Sequence, residues 1–492
     1  MATEERQSRP EGVQTVEAED VNAADILGSA VERREDPSLL TGDAEDTDDI
    51  QLPQMAHMAI LRSQHAHARI EGIDTAAAED SDGVVAVYTA EDIDVSGSVP
   101  TAWEIEGMAE PAHPLLVEDR VRYQGDALAV VVAEERYQAH DALDLIEVDY
   151  DRLDAVVDPG DALDGDAPVL HEDEGENTVF EWEIGDENET DEAFHGADNV
   201  VELDVTNQLL IPNAMEPRAA VADYDAGDDE LTVHMTSQNP HVHRLLMSGV
   251  IDHPEHKLRI NAPDVGGGFG SKIHHYPDEA LVALASKDLD RPVKWTATRT
   301  ETYLTDAQGR GHETHGEVAV DDDGTIQGLR IDTKANLGAY LSTFAPAVPT
   351  YLYGTLTSGQ YAIPAIHCEV TGAFTNVPPV DAYRGAGRPE ASFIVERLVN
   401  RAAAAVDMDP AEFRRHNFVD ADDFPYATPV AVEYDSGDYE KTLDRALEMV
   451  DYEAFRERQE QAREEGNYLG IGFSSYIEAC GLAPSELVGE LG

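Results

Sequence analysis

Three short loops hold the residues best suited to chemistry. The first is Val265-Gly-Gly-Gly-Phe-Gly-Ser-Lys272, which follows a strand-like apolar pattern and precedes a helical one. A nucleotide-hydrolysing phosphate loop needs Gly-Lys-Ser/Thr at its end, and the order here is Gly270-Ser271-Lys272-Ile273. A dinucleotide fingerprint needs a third glycine, which Gly268-Phe269-Gly270 lacks. Two readings stay open. Either the glycines only permit positive φ in a tight turn, or the bare amides around Gly267, Gly268, Phe269 and Gly270 approach a large planar or anionic ligand. The second loop, Thr236-Ser-Gln-Asn-Pro-His241, ends a strand with Gln238, whose side-chain amide can both donate and accept. The third, Asp381-Ala-Tyr-Arg-Gly-Ala-Gly-Arg-Pro-Glu390, sets Arg384 and Arg388 among small residues, which suits a phosphate or a polar heterocycle. The two cysteines, Cys368 and Cys480, are too few and too distant for a CxxC metal site, an iron–sulfur cluster or a disulfide framework. Redox centres of that kind would have to reside on other chains.

The elements that must position these loops follow from periodicity. Residues 1–28 are acidic, poor in aromatics and aperiodic, and read as a disordered leader. Residues 29–160 read as an α+β unit, with the β-rich runs MAHMAILRS, GVVAVYTAEDI and DALAVVVAEE and then the helical pattern RYQAHDALDLIEVDY. Residues 161–190, dominated by Asp, Glu and Gly, read as an acidic linker. Residues 191–435 form a larger mixed α/β domain. Its strands include NVVELDVTNQLLIP, RAAVADYD, ELTVHMTSQ, HKLRINAPDV and PVKWTATR, with a helix from Pro277 to Lys287. A further strand pair joins through Asp-Asp-Asp-Gly, and the helix ASFIVERLVNRAAAAVDM precedes one that starts on an Asp409 cap and Pro410. From residue 436 onward a charged helix, DYEKTLDRALEMVDYEAFRERQEQAREEG, leads to the strand-like YLGIGFSSYIEACG.

Composition bounds the partners. At roughly 150 residues per domain, 492 residues imply two to four domains. No apolar run approaches the ~18 residues of a membrane-spanning helix, and the N-terminus carries no signal-peptide core, so a soluble cytoplasmic protein is expected. With 101 acidic and 33 basic residues the formal charge is −68, which repels nucleic acid and anionic membranes. The acids are spread along the chain, as in DAEDTDDI and DYDAGDDE, and lysine is scarce. That is the composition of a halophile, since at molar salt the Debye length falls to about 3 Å and dense carboxylates cease to repel at range.

Together and in this order, S-Q-N-P, G-G-G-F-G-S-K and A-Y-R-G-A-G-R resemble the large, molybdopterin-binding subunits of the xanthine dehydrogenase, aldehyde oxidase and carbon monoxide dehydrogenase family. REDPSLLTGDA, LRSQHAHARI, YQGDALAVVVAE, AMEPRAAVA and GIGFSSYIEACGLAPSE look similar too, so the resemblance runs from Val31 to Glu486. It implies an α+β fold: an a/b hammerhead-like domain at 29–160, the first molybdopterin-binding domain at 191–435, and the start of the second at 436–492. It also implies a molybdenum ion held through the pterin dithiolene, with no direct protein ligand. Gln238 would sit beside the molybdenum oxo group. The amides of Gly267, Gly268, Phe269 and Gly270 would approach the molybdenum ligands, and Arg384 would bind cofactor or line the site. The cofactor, expected in its cytosine dinucleotide form, would perform oxidative hydroxylation of an electron-poor carbon while the protein orients and polarises. The implied partners are an FAD-binding medium subunit and a [2Fe–2S] small subunit, in a dimer of heterotrimers when complete.

Four departures limit that resemblance. Purine-oxidising members carry an acidic residue where this chain has Ile273. Carbon-monoxide-oxidising members carry a cysteine where it has Gly385. An aromatic that sandwiches substrate rings in other members is replaced by Ala386, leaving a roomier pocket suited to an aldehyde or an N-heterocycle. The catalytic base implied by the resemblance is a glutamate in a G-x-G-E motif several hundred residues further on, and Val488-Gly489-Glu490 arrives too early to be it. The chain is therefore expected to be an N-terminal portion whose catalytic residue is not assigned and which works with a second molybdopterin-domain chain. The other reading is an inactive remnant or a cofactor-free assembly partner. Glu216 and Glu478 are expected to have structural hydrogen-bonding roles.

Overall fold

The computed structural model describes residues 29–479 apart from Asp94 and Ser96; the expected leader at 1–28 and the terminal Val488-Gly489-Glu490 lie outside them. The chain divides into two units, Met1–Glu45 and Asp46–Gly492. In the first, a short helix, Asp36–Thr41, ends on Gly42 at φ +81°.

The second unit begins with β1 (Ala56–Arg62), β2 (Ala68–Asp74), β3 (Val84–Thr89), β4 (Arg120–Val121), β5 (Ala127–Ala133), helix α1 (Arg136–Leu143) and β6 (Glu147–Arg152). Then come β7 (Thr178–Gly185), α2 (Glu187–Gly196), β8 (Asn199–Asn207), β9 (Ala219–Asp225), β10 (Glu230–Met235), α3 (Pro240–Val250) and β11 (Leu258–Asn261). They are followed by α4 (Pro277–Leu289), β12 (Val293–Thr296), β13 (His312–Val320), β14 (Ile326–Gly338) and β15 (Ile366–Phe374). Four helices close the described chain: α5 (Arg388–Ala405), α6 (Pro410–Asn417), α7 (Tyr439–Val450) and α8 (Tyr452–Glu464).

Two large sheets result, one ordered β11-β10-β9-β12-β1-β5-β3 and the other β7-β15-β14-β13-β8, with a small sheet β4-β2-β6. β5 is buried at every position because both of its faces are covered. Ala127, Val130 and Val132 face the core that includes α4, while Ala129, Val131 and Ala133 face Ala139 and Ala142 of α1. β13 and β14 form the expected hairpin, and Asp409 caps α6 by accepting the Ala411 and Glu412 amides.

The structure adds one relation between the expected units and corrects three expectations. The units expected at 29–160 and 191–435 share one sheet, because β1 pairs in parallel with β12 along Ala56↔Val293 to Met58↔Trp295. Val293 and Trp295 are fully buried, and β1 supplies the neighbour that β12 needs. The stretch expected as a linker at 161–190 contains β7, paired along β15. Phe180, Trp182 and Ile184 alternate with Glu181 and Glu183, a half-buried strand pattern that the acid-rich average hides. The helical pattern expected over 136–150 ends at Leu143, and Glu147–Arg152 pairs with β2 as a strand. The single charged helix expected after 438 breaks at Asp451, φ +48°, into α7 and α8, and the strand-like run at 468–479 has no regular structure.

Candidate cofactor site

Gln238 emerges exposed between buried Thr236 and Ser237, at the end of β10, and the start of α3. A buried relay fixes the chain here. His243 Nε2 lies 2.8 Å from the His274 carbonyl, and Nδ1 lies 2.7 Å from the Ser237 hydroxyl. Nε2–H donating to that carbonyl leaves Nδ1 as acceptor, so the Ser237 O–H donates to it. The Ser237 oxygen in turn accepts the Asn239 amide at 3.1 Å. Burial pulls His243 down to about 4, which keeps the ring neutral.

The glycine loop folds around the Gln238 side chain. Gln238 Oε1 accepts the Gly270 amide at 3.1 Å and the Lys272 amide at 3.3 Å, while the Gln238 amide donates to the Lys272 carbonyl at 2.8 Å. A Cβ at Gly268 would overlap the Gln238 side chain, and one at Gly270 would strike the Ala382 carbonyl. Phe269 sits at φ +58° with its side chain well exposed, in a region that costs an L-residue roughly 1–2 kcal/mol. Strain in an exposed aromatic on such a loop points to function. Beneath it, buried Lys272 donates through Nζ to Glu216 Oε2 at 2.7 Å and to the Glu216 carbonyl at 2.9 Å. Burial lowers the Lys272 pKa against the pull of Glu216. Glu216 Oε2 also accepts the Gly266 amide at 2.7 Å, so the expected structural role of Glu216 is to brace this loop. Glu478 lies 3.7 Å from Arg388 Nε.

The arginine loop closes against the glycine loop. Its Arg384 amide donates to the Phe269 carbonyl at 2.9 Å, and the guanidinium lies 5.9 Å from the Phe269 ring centre. Arg310 braces it from below, donating to the carbonyls of Tyr383 at 3.1 Å and Arg384 at 2.9 Å and to Glu390 Oε1 at 3.1 Å. Buried Asp381 accepts the amides of Ala382 and Phe344 and lies 3.1 Å from His274 Nδ1. Burial alone would raise its pKa, but His274 and the two amides bring it below the usual carboxylate value. Gly385 and Ala386, at φ +103° and +43°, form the turn into α5, and half-buried Ile273 donates its amide to Gly270.

The structure thus brings Gln238, the glycine loop and Arg384 together from three distant stretches. Sequence reasoning missed Arg310 and the Asp381–His274 pair. The only local signal for Arg310 is an arginine between two glycines, itself at φ +68°.

The donors left over define what can bind. Among the described residues the amides of Gly267, Gly268 and Phe269 have no acceptor, Gln238 Nε2 has none, and the Arg384 guanidinium makes no hydrogen bond or ion pair. Successive amides in a positive-φ turn form a concavity for anionic oxygen. No group of three His, Cys, Asp or Glu ligands converges here among the described residues. The donor set fits a ligand that offers phosphate or oxo oxygens to hydrogen bonds.

Comparison with known proteins agrees. The molybdopterin cofactor-binding domain matches residues 170–418, and the a/b hammerhead domain of aldehyde oxidase and xanthine dehydrogenase matches residues 41–154. The carbon monoxide dehydrogenase large chain of Hydrogenophaga pseudoflava is 38% identical over 98% of this chain and 61% of its own length. The nicotine 6-hydroxylase large subunit of Paenarthrobacter nicotinovorans is 36% identical over 93% of this chain and 56% of its own. The structure of quinoline 2-oxidoreductase from Pseudomonas putida 86 aligns with a TM-score of 0.85 at 35% identity, covering 89% of this chain and 56% of that one. The chain spans about three fifths of the length of these two relatives. No helix among the described residues is long and apolar enough to cross a membrane. With both domains matched in order along most of its length, the chain belongs to the aldehyde oxidase and xanthine dehydrogenase family of molybdopterin-binding large subunits.

Proposed function

We propose that this chain supplies the Gln238, glycine-loop and Arg384 part of a molybdenum cofactor site in an oxidoreductase that hydroxylates an aldehyde or an N-heterocycle. The observation that carries the reading is the set of free amides at Gly267, Gly268 and Phe269 beside the unengaged Gln238 Nε2. When bound, the cofactor supplies oxidative hydroxylation of an electron-poor carbon. The chain's own residues bind and orient it. Gln238 presents an amide donor held by two loop amides, the glycine loop offers backbone donors that need no reorganisation, and Arg384 adds a positive charge. No metal ligand is required of the protein, and these donors suit a pterin dinucleotide, for which we favour the cytosine form.

Substrate choice rests on three positions. Ile273 offers no carboxylate to a purine, Gly385 offers no thiolate, and Ala386 leaves room beside the loop. Cys368, the cysteine among the described residues, is fully buried in β15. These features favour an aldehyde or N-heterocycle over carbon monoxide, in line with the relatives named for nicotine and quinoline. Further polypeptide would complete the cavity and bring the base glutamate, and FAD and [2Fe–2S] subunits would carry electrons away. The acid-rich composition supports a cytoplasm of high salt as its setting.

The test is co-expression with the polypeptides encoded beside it, followed by metal analysis and assay against aldehydes, quinoline and nicotinate. The expected result is about one molybdenum per chain with turnover of at least one of these compounds. A folded complex that retains no molybdenum contradicts the reading.

A further inference from the structure

The outward face of the five-stranded sheet gathers metal-ligand side chains that the cofactor site does not use. In the β7–β15 register Glu183 lies directly opposite Glu369, and Gly185 lies opposite His367. Residues two apart on a strand share a face, so Glu183, His367 and Glu369 project together. On the other side of β15, Asp332 of β14 stands opposite Glu369 as well. Like charges directly opposite destabilise a strand pair, and the cation at hand is committed elsewhere: Arg330, opposite His367, is engaged by Glu317 and Asp191.

Glu183, His367 and Glu369 each offer one ligand atom, and these atoms all lie within 4.8 Å of one another. His367 is 3% exposed and makes no hydrogen bond among the described residues; its Nε2 lies 3.5 Å from Glu183 Oε2. That separation is long for a charge-assisted hydrogen bond. It suits two ligands of one ion, since bonds of about 2.0–2.2 Å give a tetrahedral edge of about 3.4 Å. An imidazole beside two carboxylates selects a borderline transition cation over calcium or magnesium.

We propose that Glu183, His367 and Glu369 form a site for one divalent transition cation such as Zn²⁺ or Co²⁺, with water completing the coordination. The site pins edge strand β7 to β15 through side chains and neutralises the carboxylates that face each other across the pair. In a second group on the same sheet, Glu202, His315 and Glu317, the ligand atoms also lie within 4.8 Å of one another, but the group differs in kind. His315 is bonded to Asp204 at 2.8 Å and Glu317 to Arg330 at 2.8 Å, and none of the three is buried, so it serves as the control.

The experiment is calorimetric titration of the full-length protein with Co²⁺ in about 1 M KCl, which screens diffuse cation binding to other carboxylates. The expected result is one saturable Co²⁺ per chain, weakened about tenfold or more in both His367→Gln and Glu183→Gln and unchanged in His315→Gln. Glu183 is exposed, so its substitution tests the site even where loss of the buried imidazole disturbs folding. Absence of saturable binding, unaltered affinity in Glu183→Gln, or an equal loss in His315→Gln overturns the proposal.

Discussion

Gln238 offers two groups: its oxygen orders the glycine loop by accepting two of its amides, and its nitrogen has no partner among the described residues. Gln238→Leu strands the buried Gly270 and Lys272 amides, so stability should fall by about 1–3 kcal/mol while kcat falls about 10²-fold, as when one preorganised donor is lost. Steady-state kinetics of the cofactor-loaded complex alongside thermal melting would separate the two, and unchanged turnover contradicts the role. Lys272 contributes mainly to stability. Its side chain is 1% exposed and pairs with Glu216, whose Oε1 has no hydrogen-bond partner, so Lys272→Met strands a largely buried carboxylate. The expected cost is about 3–5 kcal/mol in denaturant unfolding. A loss under about 1 kcal/mol would show that Glu216 reaches solvent instead. The meeting of Gln238, the glycines and Arg384 was legible in the sequence because their order forms a motif. Arg310, Asp381 and His274 were not, because a buried brace has no spacing of its own.

At the scale of elements, strand order explains why the first two loops meet. β10 and β11 are parallel neighbours, so both chains leave the sheet at the same end, one into Gln238 and the other into the glycine loop. The third loop arrives from the other large sheet and is held by the Arg384 amide on Phe269 and by the close approach of Gly270 to Ala382. Gly270→Ala asks for a Cβ where the Ala382 carbonyl stands, at φ +116°. Pushing the loops apart should cost about 1–3 kcal/mol and reduce cofactor retention; metal analysis of the purified variant would read it, and full molybdenum occupancy would show that the clasp is dispensable. β7 carries the sequence lesson at this scale. Its alternation of Phe180, Trp182 and Ile184 was present all along, but averaging over an acid-rich stretch concealed it.

At the scale of the molecule, ion pairs are buried where the two expected domains merge. Arg218 is fully buried among Asp278, Glu279 and Asp306 and stacks 3.7 Å from the Tyr276 ring centre, while Arg62 of β1 reaches Asp278 at 2.9 Å. Burial also sets the pH response. It pulls His113, His275 and His312 down to about 3 and His171 and His243 down to about 4. The unfolded chain takes up these protons near its ordinary value of about 6.5, so stability falls as pH drops below that. Burial pushes Asp126 up to about 7 and Glu279 up to about 8, so the native state holds those protons and their contribution is lost as pH rises through those values. Below about pH 6.5 the five histidines outweigh the two carboxylates. Melting temperature should therefore peak near pH 6.5 and fall on both sides, and a flat profile from pH 5 to 8 contradicts the assignment. With a charge of −68, raising KCl from about 0.1 to 1 M shortens the Debye length from about 10 to 3 Å and should raise the melting temperature. No change with salt would argue against adaptation to brine.

The sequence by itself determined which residues could serve a cofactor, the family and the order of domains, because motifs and hydrophobic periodicity are local and survive an acidic surface. Tertiary structure alone decided that one sheet runs through both expected domains, that an apparent linker is a strand, and that Lys272, Arg310 and Asp381 brace the three loops. Those outcomes depend on which strand edge finds which neighbour and which buried charge finds its partner, and both are settled only when the chain closes on itself.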